Sequence, residues 1–242
     1  MTMKSIFSFE SPIIAHRGAS HLAPENTLAA FRKAAELGVK WVEFDVMLAA
    51  CGEVVVIHDE TLDRTTNGKG NVCDFPYSYL KTLDAGSGEK IPTLKEVIEL
   101  LREWGLTANI EIKPSVGKEE ETVKKVLHVV DQYWHASMKP PLISSFSLMV
   151  LNYLRQYSKT HFLAYLMHDW NPDWKKISDE LNCVSVDIHY KILNQARVNE
   201  VKATNRFVFS YTVDDPLIAQ QLFDLGVDAI FTNCPEKMMG FL

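Results

Sequence analysis

Residues 41–47 read Trp41-Val42-Glu43-Phe44-Asp45-Val46-Met47. Side chains two apart in a β-strand share a face, so Glu43 and Asp45 point one way while Val42, Phe44 and Val46 point the other. The apolar set has the character of a surface that packs under helices. The acidic set then faces the interior of a barrel, near the C-terminal end of the strand. Two carboxylates in such an interior repel each other and lose hydration, so they need cations to remain charged.

The segments on either side of this strand extend the pattern. Further candidate strands are Ile13–His16, Thr107–Lys113, Leu142–Phe146, Phe162–Met167, Val184–His189, Phe207–Val213 and Ala229–Thr232. Between them, apolar spacing predicts helices at Thr27–Leu37, Leu94–Trp104, Lys118–Tyr133, Leu148–Tyr157, Trp174–Leu181, Gln195–Ala203 and Pro216–Leu225. Pro216 follows Asp214-Asp215 and suits the first turn of a helix. Strand–helix alternation requires right-handed crossovers and a parallel sheet. With 242 residues, a strand count near eight implies an α/β fold: a closed (β/α)8 TIM barrel forming a single domain over 1–242. A doubly wound open sheet is the alternative.

One region breaks the rhythm. Residues 59–92 are rich in Gly, Asp, Asn and Thr and are far longer than the usual connection of a few residues. Such a stretch after the second strand predicts a small insertion, or cap, beside the catalytic mouth. Glu53–His58 reads as an extra strand, turned back onto the second strand at Cys51-Gly52.

The next main strand repeats the acidic alternation. Ile110 and Ile112 share one face; Asn109, Glu111 and Lys113 share the other. Glu43, Asp45 and Glu111 therefore form a hard all-oxygen cluster suited to Mg2+ or Ca2+ rather than zinc. Structural ion pairs with Arg17 and Lys113 are the competing account. Two histidines favour the chemical one: His16 ends the first strand and His58 ends the extra strand, which places a general acid–base pair beside the acids. The remaining histidines, including His128, His135 and His161, receive no role.

Composition narrows the partners. A formal net charge of −6 argues against a nucleic-acid binder. The cysteines Cys51, Cys73, Cys183 and Cys234 are scattered, without a C-x-x-C pair, as expected for reduced thiols. Met1–Ser11 has no apolar core of signal-peptide length, and no stretch approaches the roughly 20 apolar residues that span a bilayer. The expectation is a cytoplasmic enzyme without stable membrane insertion.

The segment His16-Arg17-Gly18, continuing to Pro24-Glu25-Asn26-Thr27, resembles the H-R-G…P-E-N-T signature of glycerophosphodiester phosphodiesterases. The resemblance continues in order through Glu43-Phe44-Asp45, His58-Asp59, Leu62–Gly68, Ile91–Leu94, Asn109–Lys113, Ser144–Phe146 and Gly226–Asn233. It implies metal-dependent hydrolysis of small glycerophosphodiesters. By position, it makes His16 and His58 the catalytic pair, Glu43, Asp45 and Glu111 the ligands of one divalent cation, and Arg17 and Lys113 the phosphate contacts. One divalent ion and two bases would outweigh the three acids, leaving a net positive site for a phosphodiester monoanion. Phe146 and Tyr211 are candidate walls of the substrate groove, with ordinary core as the alternative. Within Pro24–Thr27, Asn26 or Thr27 is expected to cap the first helix, and Glu25 to support that turn. Two positions depart from the family pattern: Cys51-Gly52 replaces a frequent Asp-Gly turn, and Tyr211-Thr212-Val213-Asp214 stands where Trp-Thr-Val-Asn is common. The rival functions are a lysophospholipid hydrolase using the same site and a binding protein that has lost the chemistry.

Overall fold

A computed structural model describes residues 7–239. Residues 1–6, part of the stretch considered for a leader, lie outside the described residues. The described strands form one sheet in the order β1-β9-β8-β7-β6-β5-β4-β2-β3, with β1 also pairing β2. They are β1 (Ile13–His16), β2 (Trp41–Leu48), β3 (Val54–Val56), β4 (Thr107–Ile112), β5 (Leu142–Ser145), β6 (Phe162–Met167), β7 (Ser185–His189), β8 (Phe207–Tyr211) and β9 (Ala229–Thr232). Only β3 runs antiparallel, along β2; the other eight close into a parallel barrel. The open-sheet alternative is thereby excluded.

Helices α1 (Leu28–Glu36), α3 (Leu94–Trp104), α4 (Glu119–Tyr133), α5 (Leu148–Tyr157), α6 (Trp174–Glu180), α7 (Gln195–Lys202) and α8 (Pro216–Asp224) alternate with the barrel strands. Their starts follow from local chemistry. Thr27, Ser147, Asn194 and Asp215 each accept a backbone N–H of the helix they precede, and Thr93 forms a capping box with Glu96. Two short helices, α2 (Tyr77–Leu80) and α9 (Pro235–Met239), were not expected, because a segment of one turn has no periodicity to read. Strand ends differ from expectation by one or two residues. Lys113 lies just beyond β4, although its N–H still donates to the carbonyl of Val46. Among the described residues, no helix is long and apolar enough to cross a membrane.

Three apolar layers result. Outward-facing Val42, Phe44, Val46, Ala108, Ile110 and Ile112 pack with the helices in the main core. Inside the barrel, Phe7, Trp41, Phe209 and Phe231 form a second cluster, with Phe9, Phe162 and Phe207 against it. Phe7 meets Trp41, Phe162 and Phe207 ring to ring, so aromatic side chains fill the N-terminal end. The third cluster lies in the segment after β3. Met47, Val55, Ile57, Leu62, Val72, Leu80, Leu83 and Ile91 form a small core. That segment returns to β3, where Val56 N–H donates to the carbonyl of Pro92.

Candidate active site

Barrel register sets the acids side by side. His16 is the cross-strand partner of Glu43, and Asp45 is that of Glu111. Glu43 and Asp45 point inward, as the period-two reading requires, and are 2% and 1% exposed. One oxygen from each of Glu43, Asp45 and Glu111 lies within 4.8 Å of the others. Burial, then Asp45 and Glu111, push the Glu43 carboxyl well above its ordinary range. Burial and Asp45 push Glu111 up to about 8. Glu43 Oε1, Asp45 Oδ1 and the neighbouring Asn109 Oδ1 are buried without a hydrogen-bond partner. Oxygen acceptors gathered this closely, and left unsatisfied, fit a hard divalent cation.

Both histidines are fixed through Nδ1. His16 Nδ1 lies 2.7 Å from Asn233 Oδ1. The Asn233 amide is itself held, its Nδ2 donating to Asp214 Oδ2 at 2.7 Å. Asn233 Oδ1 can only accept, so His16 Nδ1 carries the proton and Nε2 keeps its lone pair. That Nε2 is 3.8 Å from Glu43 Oε2. Burial, then the Arg17 charge, lower the His16 pKa to about 4, so the ring is neutral at physiological pH. On the other side, His58 Nδ1 is 2.6 Å from Asp59 Oδ1, and Lys113 Nζ is 2.9 Å from His58 Nε2.

Arg17 has φ 57°, a left-handed conformation uncommon for a side chain of its size. In it, the backbone N–H donates to Glu43 Oε2 at 3.0 Å, while the guanidinium Nη1 donates to Glu25 Oε1 at 2.8 Å and Nε lies 3.5 Å from Asp45 Oδ2. Burial opposes its charge, yet Asp45, Glu43 and Glu25 hold its pKa above the ordinary value.

The Pro24–Thr27 expectation holds for the helix cap and needs correction at Glu25. Thr27 does cap α1. Asn26, buried with φ 58°, instead donates from Nδ2 to Asp45 Oδ2 at 2.9 Å. Glu25 supports arginines rather than the helix turn: Arg17 and Arg64 both donate to it. The Asn26–Asp45 and Arg64–Glu25 partners were not legible in the sequence, because each contact joins segments that only the fold brings together.

A cleft of about 310 Å3 opens at the C-terminal mouth, lined on one side by His16, Arg17, Glu43, His58 and Glu111. Phe146, His168, His189 and Tyr211 line the other. Phe146 and Tyr211 meet edge to face with centroids 5.7 Å apart, and 43% of Phe146 is exposed. Asp45 and Lys113 are not part of this lining. His168 and His189, for which no role was expected, have rings 4.7 Å apart; a period-two reading alone does not reveal which strand-end histidines converge.

The fold is that of a barrel enzyme with its cleft at the C-terminal mouth. The profile of the Glycerophosphoryl diester phosphodiesterase family matches residues 16–237. A glycerophosphodiester phosphodiesterase of Caldanaerobacter subterraneus subsp. tengcongensis is 36% identical, over 95% of this chain and 97% of its own. A phosphodiesterase of Oleispira antarctica, solved in complex with the product sn-glycerol-3-phosphate, superposes with a TM-score of 0.94 at 36% identity, covering 100% of this chain and 99% of its own. A glycerophosphodiester phosphodiesterase of Thermotoga maritima gives 0.80 at 29% identity, covering 98% of this chain and 100% of its own. The chain belongs to the glycerophosphoryl diester phosphodiesterase family and is a phosphoric diester hydrolase.

Proposed function

We propose that the cleft hydrolyses glycerol-3-phospho-alcohols to glycerol 3-phosphate and the free alcohol. In this reading His16 and His58 move the protons, and Glu43, Asp45 and Glu111 hold one Mg2+ or Ca2+. The observation that carries it is the pair of imidazoles lining one acidic cleft, each tied through Nδ1 to an oxygen. A divalent ion held by the three acids would polarise a phosphoryl oxygen. Arg17 lines the cleft and supplies positive charge for the phosphodiester anion. Lys113 adds a second charge on the Nε2 side of His58.

The neutral His16 accepts the proton of the attacking oxygen, whether that oxygen belongs to water or to the adjacent glycerol hydroxyl. His58, backed by Asp59, takes the Lys113 ammonium proton on Nε2 and passes it to the departing alkoxide, and Lys113 regains a proton from solvent. Phe146 and Tyr211 form the wall against which the alcohol lies. We place the reaction in the cytoplasm, on the strength of four free cysteines.

Glycerol 3-phosphate release from glycerophosphocholine and glycerophosphoethanolamine, with Mg2+, with Ca2+ and after chelation, tests this reading. His16→Ala and His58→Ala should each lower kcat by about 10²–10⁴-fold while the protein stays folded, and chelation should abolish turnover. Turnover that survives chelation or both substitutions would refute the assignment. Activity confined to lysophosphatidylcholine would move the substrate class to lysophospholipids.

A further inference from the structure

Arg64 lies in the segment after β3, away from the cleft lining, with its side chain 49% exposed. A half-exposed arginine in a surface ion pair ordinarily contributes little. Its contacts here are unlike that case. Arg64 Nε donates to Asp59 Oδ2 at 2.6 Å and Nη2 to Asp59 Oδ1 at 2.9 Å. The same Nη2 donates to Glu25 Oε1 at 2.8 Å, and Nη1 donates to Glu25 Oε2 at 2.7 Å. One guanidinium thus closes two bidentate pairs, a geometry that a fixed planar fork can satisfy and a point charge cannot.

Each carboxylate has one further partner, and both partners line the cleft. Asp59 Oδ1 also takes His58 Nδ1, and Glu25 Oε1 also takes Arg17 Nη1. We infer that Arg64 is the positioning residue of the site, fastening Asp59 and Glu25 so that they hold the His58 imidazole and the Arg17 guanidinium in register with each other. The inference rests on the roles proposed above for His58 and Arg17.

The segment carrying Arg64 is built to keep it still. Leu62 is fully buried in the small apolar core. Thr66 Oγ1 donates to the Leu62 carbonyl at 2.7 Å, and the Leu62 and Asn67 N–H groups donate to the carbonyls of Gly70 and Asp84. Asp59 and Glu25 share the nitrogen Nη2, so they face each other across it. Removing the guanidinium leaves two like charges opposed with nothing between them. They separate, and each carries its partner out of line. The His58 side of that movement slows proton transfer; the Arg17 side weakens the hold on the phosphate.

The experiment compares the parent with Arg64→Ala, Arg64→Lys, His58→Ala and the Arg64→Ala/His58→Ala double variant. It measures kcat, KM and melting temperature on glycerophosphocholine, with and without added guanidinium chloride at low millimolar concentration. By analogy with partners one shell out from a site, Arg64→Ala should lose about 10–100-fold in kcat and raise KM, at a melting temperature close to the parent's. Arg64→Lys should recover a small part of that loss, and guanidinium should restore Arg64→Ala but not His58→Ala. In the His58→Ala background, removing Arg64 should cost no further kcat, because the imidazole it positions is gone, while KM should still rise through Arg17.

Parent-like kinetics for Arg64→Ala, with His58→Ala impaired, would overturn the inference and leave the proposed reaction standing. So would a loss that follows the melting temperature and resists guanidinium, since that outcome assigns Arg64 to folding alone. Parent-like activity in His58→Ala would instead remove the proposed reaction scheme and this inference together.

Discussion

His16 and His58 differ in what holds them. A carboxylate backs His58, but a neutral amide backs His16, so Asn233 orients that ring and favours its charged form less than a carboxylate would. Asn233 Oδ1 also takes Ser20 Oγ at 3.0 Å, and the Asn233 N–H donates to Asp214 Oδ1 at 2.7 Å. Replacing Asn233 with Ala should therefore free the His16 ring and lower kcat by about 10–100-fold, with KM little changed. Steady-state kinetics beside a melting curve would check this; an unchanged kcat would show that the ring is held by packing alone. The acids were legible at this scale, because alternation in Trp41–Met47 and Asn109–Lys113 fixes which side chains share a face. Their partners were not. Asn233 and Asn26 lie in quoted motifs, but nothing in the order of residues says that one meets His16 and the other Asp45.

At the scale of elements, the β1–α1 connection is the tightest joint. Gly18 has φ +80°, and a Cβ there would stand 2.7 Å from the backbone carbon and Cβ of Ala30. Backbone in α1 cannot yield as a side chain would. Gly18→Ala should cost several kcal/mol, about 2–4, from the strained φ and the clash together, and thermal denaturation would read it. The small core after β3 gives a second test. Leu62→Ala removes a fully buried side chain and should cost about 2–5 kcal/mol. Activity should be lost at temperatures where the barrel's far-ultraviolet circular dichroism is still intact. Barrel strands and long helices were visible in advance, since short β-branched runs alternate along the chain with helical periods that open on recognisable caps. The interior of residues 59–92 was not, because its folding depends on Leu62, Leu80 and Leu83 meeting Met47 and Ile57 from across the chain.

Over the whole molecule, stability should carry the signature of an acid buried without a counter-charge. Asp187 is fully buried, accepts one hydrogen bond from Ser185 at 2.9 Å, and leaves Oδ2 unpartnered. Burial pushes its pKa from 3.8 up to about 7. Below about pH 4 the carboxyl is protonated in folded and unfolded chains alike. As pH rises from there to about 7, the unfolded chain releases its proton first, so stability falls, by at most roughly 1.4 kcal/mol per pH unit. Asp187→Asn removes that slope. Its advantage over the parent in urea denaturation should be larger at pH 8 than at pH 5, by on the order of 2 kcal/mol; equal differences at both pH values would contradict the burial argument. The aromatic packing at the opposite end of the barrel governs traffic. Among the described residues, Phe7, Phe9, Trp41 and Phe207 pack across the rear of the barrel, so the cleft is a cul-de-sac whose doorway is the C-terminal mouth. In the proposed reaction, glycerol 3-phosphate would back out through the opening by which the next diester arrives, and should therefore compete with substrate in initial-rate measurements. Whatever narrows that doorway will slow departure as well as arrival.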